Sequence, residues 1–249
     1  MYLRQTISAI IPARDESRAI SQVVESLARL HFDSHEPVFD NIIVCDNGSI
    51  DDTAQVAAQA GAVVVKEPRP GYGNACLAAL SVLPSSDIVV FIDGDNAFYA
   101  DQCKGLIDAV VNGADLAIGS RQLGRTEKGA LTTAQRFGNW LASVLIQRIW
   151  GVPITDLGPY RAIRSSALKH LAMQDRTFGW TVEMQVKAIQ ANMKLVECAV
   201  DTRRRIGKSK ISGTFRGSLG AARGILGMIF LLWRQERRAK RQTVATHEQ

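Results

Sequence analysis

Two aspartates, Asp93 and Asp95, stand on either side of Gly94, directly after an apolar run at positions 87–92. This run is typical of a buried β-strand, and ligands of open α/β sheets bind beyond the carboxyl ends of the strands. Carboxylates at positions i and i+2 of a turn can both approach one Mg²⁺ or Mn²⁺ ion, which then also binds water and phosphate oxygens. Such an ion neutralises a departing diphosphate. The DXD motif therefore predicts a metal site, with a solvated acidic turn as the alternative.

Polar residues also follow two earlier apolar runs and open one helix. The segment 12–16 follows the first run, and Asp46 follows the second, where it could accept a hydrogen bond from a ribose or a base. The acids at 51–52 could equally cap the next helix. Gly71 and Gly73 open a predicted helix, whose backbone N–H groups could bind an anion. The third glycine of a dinucleotide-binding fingerprint is missing, so this signal is weak alone.

These residues need a scaffold, and apolar periodicity predicts one in which strands alternate with helices. Strands are expected at 6–11, 41–45, 62–65, 87–92 and 115–118, and helices at 20–30, 52–60, 74–83 and 101–111. Strands that are apolar on both faces indicate a mostly parallel sheet covered by helices, which is an α/β fold. After position 119 the pattern becomes a loop at 121–132, a helix at 133–150, a Gly/Pro-punctuated stretch, a helix at 181–192 and a strand at 194–200.

Composition excludes several other classes of protein. The chain has 249 residues, of which 46% are hydrophobic and 22% charged, so it is neither disordered nor fibrous. The cysteines form no CxxC pair and the histidines no HxH or HExxH pattern, so neither a zinc ribbon nor a histidine metal site is expected. No signal peptide is recognised at the N-terminus. A cytoplasmic protein is therefore expected.

The charge is divided unevenly along the chain. Positions 201–249 contain 12 Lys or Arg and 3 acids, which gives +9, while positions 1–200 carry −3. Within this basic tail, the apolar block 224–233 would rise only about 15 Å as a helix, too short to span a bilayer. Its basic flanks and its Trp indicate an interfacial helix at 213–241, peripheral on the cytoplasmic membrane face, followed by a disordered tail at 242–249. No nucleic-acid contact is expected, because no binding motif accompanies the charge.

Five glycines of this tail lie on one side of the predicted helix. They are Gly213, Gly217, Gly220, Gly224 and Gly227. Because glycine costs about 1 kcal/mol relative to alanine inside a helix, such a row implies the close approach of another surface. The surface could be the body of the protein, a bilayer, or a second copy of the chain in a homodimer.

Seven segments in this order resemble family 2 glycosyltransferases of the GT-A fold, and most closely the dolichol- or polyprenol-phosphate sugar synthases. They are IIPARDE (10–16), VCDNGSIDDT (44–53), GYGNA (71–75), FIDGD (91–95), GSR (119–121), DLGPYRAI (156–163) and RRRIGKSKIS (203–212). The resemblance implies a Rossmann-like nucleotide-diphospho-sugar transferase domain at 1–212. It also implies transfer of a hexose from a donor such as GDP-mannose or UDP-glucose to a polyprenyl phosphate, or alternatively to a soluble metabolite or glycan.

The resemblance also assigns roles to individual residues. Donor-binding residues would be Pro12, Ala13, Arg14, Glu16, Asp46, Gly71, Gly73, Asp93, Gly94, Asp95, Arg205, Lys208, Ser209 and Lys210. Acceptor-side residues would be Arg121, Arg136 and Arg161. The chain departs from the family pattern at Asn47, where a second acid is usual, at Ala97, where the polyprenol enzymes often have Gln, and at Tyr72, where many relatives have Lys or Arg.

The expected reaction is a single in-line displacement at the anomeric carbon, with inversion. The metal held by Asp93 and Asp95 and the basic loop would stabilise the departing diphosphate, which is mainly electrostatic catalysis. Arg121 and Arg136 would also be catalytic residues. A hydroxyl acceptor would need a general base, for which Asp156 and Glu183 are the candidates. A phosphate acceptor is already anionic and needs none. Alternatively, Glu183 lies on a solvated helix face and Asp156 fixes a turn.

Two other classes of function remain as alternatives to a glycosyltransferase. In phosphatases that use an aspartyl nucleophile, the DXD pair typically follows the first strand, whereas here it follows the fourth. A non-catalytic membrane-binding scaffold would not require the intact pair Asp93 and Asp95.

Overall fold

The computed structural model describes residues 2, 4–32, 36–207 and 215–247. In this part of the chain, seven strands form one sheet in the order β3-β2-β1-β4-β6-β5-β7. The strands are β1 (Ile7–Ala13), β2 (Asn41–Asp46), β3 (Val63–Lys66), β4 (Ile88–Phe91), β5 (Leu116–Ser120), β6 (Arg161–Arg164) and β7 (Leu195–Ala199). Strand β6 runs antiparallel to both of its neighbours, and every other pairing is parallel. The predicted mostly parallel α/β sheet is confirmed.

Helices cover both faces of the sheet. They are α1 (Ile20–Ala28), α2 (Thr53–Gln59), α3 (Tyr72–Ser81), α4 (Cys103–Val111), α5 (Thr133–Trp150), α6 (Ser165–Leu171), α7 (Trp180–Gln190) and α8 (Phe215–His247). Apolar residues of α1 and α4 pack on one face, and those of α3, α6 and α7 pack on the other. Burial on both faces explains why β1 and β4 are almost wholly apolar.

Two elements, β6 and α6, lie where only a Gly/Pro-punctuated stretch was expected. Strand β6 reads Arg-Ala-Ile-Arg, too short and too polar at its ends to stand out. It becomes a strand because it fills the gap between β4 and β5, pairing with both.

Helices α5 and α8 pack beside α7 in a separate apolar cluster, at one end of the sheet. Helix α5 starts in a capping box between Thr132 and Gln135 and ends at Gly151, whose φ of 75° suits glycine. Ile229 and Leu232 of α8 are buried in this cluster. At the far end of the contact, Trp150 Nε1 donates to Glu236 Oε2 at 2.6 Å. The C-terminal helix is thus packed on the body along one side.

The C-terminal helix differs in part from the helix that the sequence predicts. It continues to His247, so positions 242–247, expected to be disordered, are helical. Of the glycine row, Gly224 lies against the body, because a Cβ there would be 3.3 Å from Cβ of Phe178. Gly227 has nothing within 4 Å of such a Cβ, and Gly213 lies outside the described residues. No helix in the described ranges has the length and apolarity needed to cross a membrane.

Candidate active site

A cavity of about 310 Å³ lies at the carboxyl ends of β1, β2 and β4, where the topology of the sheet brings the polar turns together. Most of the residues predicted to bind a donor line it, namely Pro12, Ala13, Arg14, Glu16, Gly71, Asp93, Gly94, Asp95 and Arg205. We call it the donor cleft.

The carboxylates of Asp93 and Asp95 lie at the floor of the donor cleft, and each already has a polar partner. Asp95 Oδ1 accepts from the N–H of Ala97 at 3.0 Å, and Asp95 Oδ2 lies 2.9 Å from Arg205 Nη1. Asp93 Oδ1 accepts from the Tyr72 hydroxyl at 3.3 Å. The glycine between them is closely packed, since a Cβ on Gly94 would be 3.2 Å from Cβ of Ala13.

The electrostatics of this pair fit a divalent cation. Burial raises the pKa of Asp93 to about 7, and the neighbouring charge of Asp95 adds to this rise, while Arg205 and Arg121 oppose it. Two carboxylates in a buried cleft thus resist carrying full charge together unless a cation joins them. Oxygen-only donors suit Mg²⁺ and Mn²⁺, and Arg205 supplies the positive charge on Asp95 in this structure.

Arg205 is held over the carboxylates by the segment 203–206. The N–H of Ile206 donates to the carbonyl of Asp95 at 2.9 Å, and the N–H of Arg203 donates to that of Ala97 at 2.9 Å. The Arg203 guanidinium also lies 4.6 Å from the centre of the Tyr99 ring. These bonds fix the backbone on both sides of Arg205, whose guanidinium lies on Asp95. The other predicted loop residues, Lys208, Ser209 and Lys210, lie outside the described residues.

The turn at Gly71 and Gly73 has a different role from anion binding. The N–H groups of Gly73 and Asn74 donate to the carbonyls of Thr177 and Arg176, at 3.1 and 3.0 Å. A Cβ on Gly73 would lie 2.0 Å from the carbonyl oxygen of Asp175. These glycines therefore allow the loop 175–177 to pack against the start of α3, and the N–H groups of Gly71, Gly73 and Asn74 are already bonded within the protein.

Asn47 and Asp46 hold neighbouring loops. Asn47 Nδ2 donates to the carbonyls of Glu67 and Arg69, and its Oδ1 accepts from the N–H of Gly71 at 2.8 Å. An acid here could not donate these bonds, so Asn47 has a structural reason to differ from the family pattern. Asp46 is buried and accepts from the N–H of Ser49 at 3.1 Å, and it does not line the cleft.

A second cavity of about 520 Å³ adjoins the donor cleft and shares four residues with it, namely Tyr72, Asp93, Phe178 and Arg205. Its walls are mainly apolar and come from α5, α7, α8 and the segment before β6. They include Phe137, Leu141, Leu157, Pro159, Ile225 and Leu226. We call it the apolar cavity. Among the described residues that line it, Asp93 is the one carboxylate, and Arg121 and Arg205 are the cations.

Arg121 is fixed at this junction by Asp156. Its Nε and Nη2 contact the two carboxylate oxygens at 2.8 and 2.6 Å, and its backbone N–H donates to the same carboxylate at 2.7 Å. Burial disfavours the charged form of Arg121, but the hydrogen bonds that it donates to Asp156 and the negative charge of Asp156 outweigh that effect, so the pKa of the guanidinium is raised. Asp156 therefore positions a permanent cation and is not free to act as a base.

Three other predicted residues lie away from the two cavities. Glu183 is buried, accepts from the N–H groups of Gln174 and Asp175, and pairs with Lys187 at 2.7 Å, so it is not on a solvated face. Arg161 is fully buried, and burial lowers its guanidinium pKa to about 10.

The guanidinium of Arg161 donates to the carbonyls of Leu157, Gly158 and Thr181 beneath the apolar cavity. Arg136 is exposed on another side of α5, in a groove with Trp140 and Ser143.

Sequence reasoning missed Phe178 and Thr177, which line the donor cleft. Neither carries an ionisable group or belongs to a motif. Gly179, directly after Phe178, is a local signal in the sequence, since glycine allows another group to approach the backbone closely. Here that group is the Asp175 carboxylate, which would lie 2.8 Å from a Cβ on Gly179. Tyr72 departs from the family pattern, yet its hydroxyl donates to Asp93.

Comparison with known proteins identifies the family of the chain and its fold. A sequence model of Glycosyl transferase family 2 matches residues 8–172. An uncharacterized glycosyltransferase of Mycobacterium tuberculosis is 34% identical over 215 residues, which cover 86% of this chain and 93% of that protein. A dolichyl-phosphate hexose transferase of Haloferax volcanii is 25% identical over 228 residues, which cover 90% of this chain and 94% of that protein.

A solved structure is similar over most of the chain. Glucosyl-3-phosphoglycerate synthase from Mycobacterium tuberculosis, in complex with Mn²⁺, uridine-diphosphate and phosphoglyceric acid, matches with a TM-score of 0.73 and 22% identity, over 92% of this chain and 79% of that one. The expected GT-A fold is thereby confirmed.

Proposed function

The chain belongs to glycosyl transferase family 2, and on that premise we propose that it moves a hexose from a nucleotide-diphosphate sugar to a polyprenyl phosphate. The observation that carries the proposal is the apolar cavity beside the carboxylate pair, with Arg121 and Arg205 at the junction. A cavity with apolar walls and cations at one end suits a molecule with a hydrocarbon chain and a phosphate.

The donor would occupy the donor cleft. Pro12 and Ala13 present an apolar edge, Glu16 an acceptor group, and Arg205 a charge that can turn from Asp95 to a phosphate oxygen. Asp93 and Asp95 would hold Mg²⁺ or Mn²⁺, which supplies positive charge to the departing diphosphate when bound. The solved relative was crystallised with Mn²⁺ and uridine-diphosphate, which supports this assignment.

The acceptor would enter from the apolar cavity on the opposite side of Asp93. Its phosphate would lie near Arg121, which Asp156 keeps charged and oriented. Because both candidate bases are engaged in structural bonds, this site favours an acceptor that is already a nucleophilic anion. The phosphate oxygen would then attack the anomeric carbon from the face opposite the diphosphate, with inversion.

A soluble phosphorylated acceptor is the second candidate. Arg121 and Arg205 would serve a small phosphate ester equally well, and glucosyl-3-phosphoglycerate synthase, which shares the fold, was crystallised with phosphoglyceric acid. The apolar walls of the cavity favour the lipid, because Phe137, Leu141 and Leu226 would offer little to a polar metabolite. The protein would act in the cytoplasm, peripherally on the membrane.

Radiolabelled donors test both candidates. The full chain, with Mn²⁺ and undecaprenyl phosphate in detergent, should carry label from GDP-mannose or UDP-glucose into the organic phase, and the Asp95→Asn variant should not. Label that stays in water, or that appears only with 3-phosphoglycerate, would contradict the lipid acceptor. If no nucleotide-sugar raises the melting temperature in the presence of Mn²⁺, the donor assignment fails as well.

A further inference from the structure

Six of the eleven large apolar side chains that the described part of the chain exposes lie on two adjacent helices, α5 and α8. They are Phe137, Trp140, Ile149, Leu226, Phe230 and Leu231. The two helices run in the same direction, since Phe137 and Leu226 line one cavity and Trp150 bonds to Glu236 at the other end. The rings of Phe137 and Trp140 are in contact, with their centres 5.7 Å apart. We call these two side chains, with Leu226, Phe230 and Leu231, the two-helix face; Ile149 is nine residues from Trp140 and lies on the opposite side of α5. Phe230 is 52% exposed and Trp140 57%, which is costly in water.

The charges beside this face have one sign. Arg234, Arg237, Arg238, Lys240 and Arg241 are all exposed on α8. The only acid of this helix, Glu236, accepts from Trp150 and Gln190 of the body through Oε2 and pairs with Lys240 through Oε1. It offsets one of these charges, so the four arginines leave the outer surface basic. Arg237 lies 4.5 Å from the centre of the Trp233 ring and Arg234 lies 5.5 Å from that of Phe230, which joins the basic and apolar surfaces into one.

The two-helix face is continuous with the apolar cavity. Phe137 and Leu226 are exposed members of the face and also line the cavity, one on each helix. A molecule that passed between them would travel from the outer surface of α5 and α8 toward Asp93 without leaving apolar surroundings. A bilayer is a surface of this chemistry, with an apolar interior under anionic headgroups.

We propose that the two-helix face docks on a bilayer containing anionic phospholipid, so that the cavity opens between Phe137 and Leu226 directly into the lipid. The identity of the molecule that enters the cavity rests on the proposed function, whereas the docking of the two-helix face on a bilayer does not. Phe230, Leu231 and Trp140 insert at the level of the headgroups, and the arginines after position 233 contact lipid phosphates. The acceptor reaches Arg121 by sliding along the face, without crossing water.

Vesicle flotation tests the docking without any enzyme assay. The full chain should float with vesicles of phosphatidylglycerol and phosphatidylcholine, and much less with phosphatidylcholine alone or in high salt. The variant Phe230→Ser/Leu231→Ser should bind at least about tenfold more weakly, because two large apolar side chains no longer enter the bilayer. Val82→Ser, which removes an exposed apolar side chain at the far end of α3, should bind like the wild type.

An activity measurement separates docking from the acceptor assignment. With a short-chain prenyl phosphate dissolved in water, the Phe230→Ser/Leu231→Ser variant should keep the wild-type rate, because neither residue lines either cavity. With undecaprenyl phosphate in vesicles, the rate should fall in parallel with binding. Docking with no lipid product would refute the acceptor and leave the docking standing.

Three results would overturn the docking proposal. They are equal binding by the double variant and the wild type, wild-type binding that does not respond to anionic lipid, and no binding at all. Sedimentation velocity tests the competing explanation, in which the exposed apolar side chains join two copies of the chain. If the wild type is a dimer that the double variant dissociates, and neither floats, the two-helix face is an interface between copies of the chain.

Discussion

The donor cleft and the apolar cavity meet at Asp93, yet they are built in different ways. Turns at the ends of neighbouring strands form the donor cleft, and backbone hydrogen bonds such as those from Ile206 to Asp95 and from Asn74 to Arg176 hold it. The apolar cavity has walls from α5, α7 and α8, whose side chains contribute shape and little polarity. Donor chemistry therefore depends on a few fixed polar atoms, and acceptor choice depends on helix packing.

The largest effect should come from the metal pair. Asp95→Asn keeps the shape of the side chain but removes the charge, so the departing diphosphate loses stabilisation and kcat should fall by about 10²–10³-fold or more. Isothermal titration should show loss of Mn²⁺ binding at the same time. Asp101→Asn, an exposed acid six residues away, is the matched control and should leave both unchanged. Retained activity in Asp95→Asn would contradict the assignment of a metal to the donor cleft.

Breaking the Arg121–Asp156 pair should damage the acceptor side and the fold together. Asp156→Asn leaves a buried guanidinium without its counter-ion, which should lower the free energy of unfolding by about 3–5 kcal/mol. Chemical denaturation measures this loss. In the fraction that folds, KM for the acceptor should rise much more than KM for the donor.

The control for this prediction is Asp108→Asn, which breaks the more exposed pair with Lys104 and should cost far less stability. If the two variants are equally stable, the pair at the cavity is not the buried, oriented contact that the geometry indicates.

The Gly73→Ala variant should disturb the donor cleft through its shape. The added Cβ would lie 2.0 Å from the Asp175 carbonyl, so the loop 175–177 must shift, at a cost of about 1–3 kcal/mol. Because this loop carries Thr177 into the cleft, KM for the donor should rise. Gly105→Ala, in α4 with nothing within 4 Å, should instead stabilise the protein slightly. The melting temperatures of both variants check the predicted changes in stability, and rates measured over a range of donor concentrations check the predicted rise in KM.

The smallest effect should come from substitution of Arg205, which should raise the affinity for Mn²⁺ and lower the affinity for the nucleotide-sugar. Without the guanidinium on Asp95, Arg205→Gln should bind Mn²⁺ alone more tightly, by about fivefold, since a half-buried ion pair no longer competes. The same variant should bind the nucleotide-sugar more weakly, because a phosphate contact is lost. Arg204→Gln, whose side chain is exposed and paired with Glu127, is the control. Weaker Mn²⁺ binding by Arg205→Gln would contradict the competition.

Local sequence predicted the helices and strands well where one pattern extended over a whole element. Helix α5 lies at the positions expected, because its apolar spacing continues for 18 residues between a cap and a glycine. Strand β6 could not be found in this way, since its four residues acquire their pairing from β4 and β5, which are far apart in the sequence.

The predicted site residues fall into two groups, those that line the donor cleft and those that line neither cavity. Asp93, Asp95 and Glu16 reach the donor cleft, because each follows a strand that must end at that edge of the sheet. Arg161 and Glu183 line neither cavity, because backbone groups already occupy both side chains. Arg161 donates to the nearby carbonyls of Leu157 and Gly158 and to that of Thr181. Glu183 accepts from the N–H groups of Gln174 and Asp175. A charged residue in a motif looks the same in sequence whether it binds a ligand or a carbonyl.

By itself, the sequence determined the family, through the resemblance of seven segments in order, and the mostly parallel sheet, through apolar strands that alternate with helices. It also determined the carboxylate pair after the fourth strand, which follows from spacing within one strand and its turn. Only the tertiary structure decided that Arg205 lies on Asp95, that Asp156 serves Arg121, and that an apolar cavity opens beside them. The physical reason is distance along the chain. Phe137, Thr181 and Leu226 become neighbours when three helices bury their apolar sides against one another, and no local pattern specifies that packing.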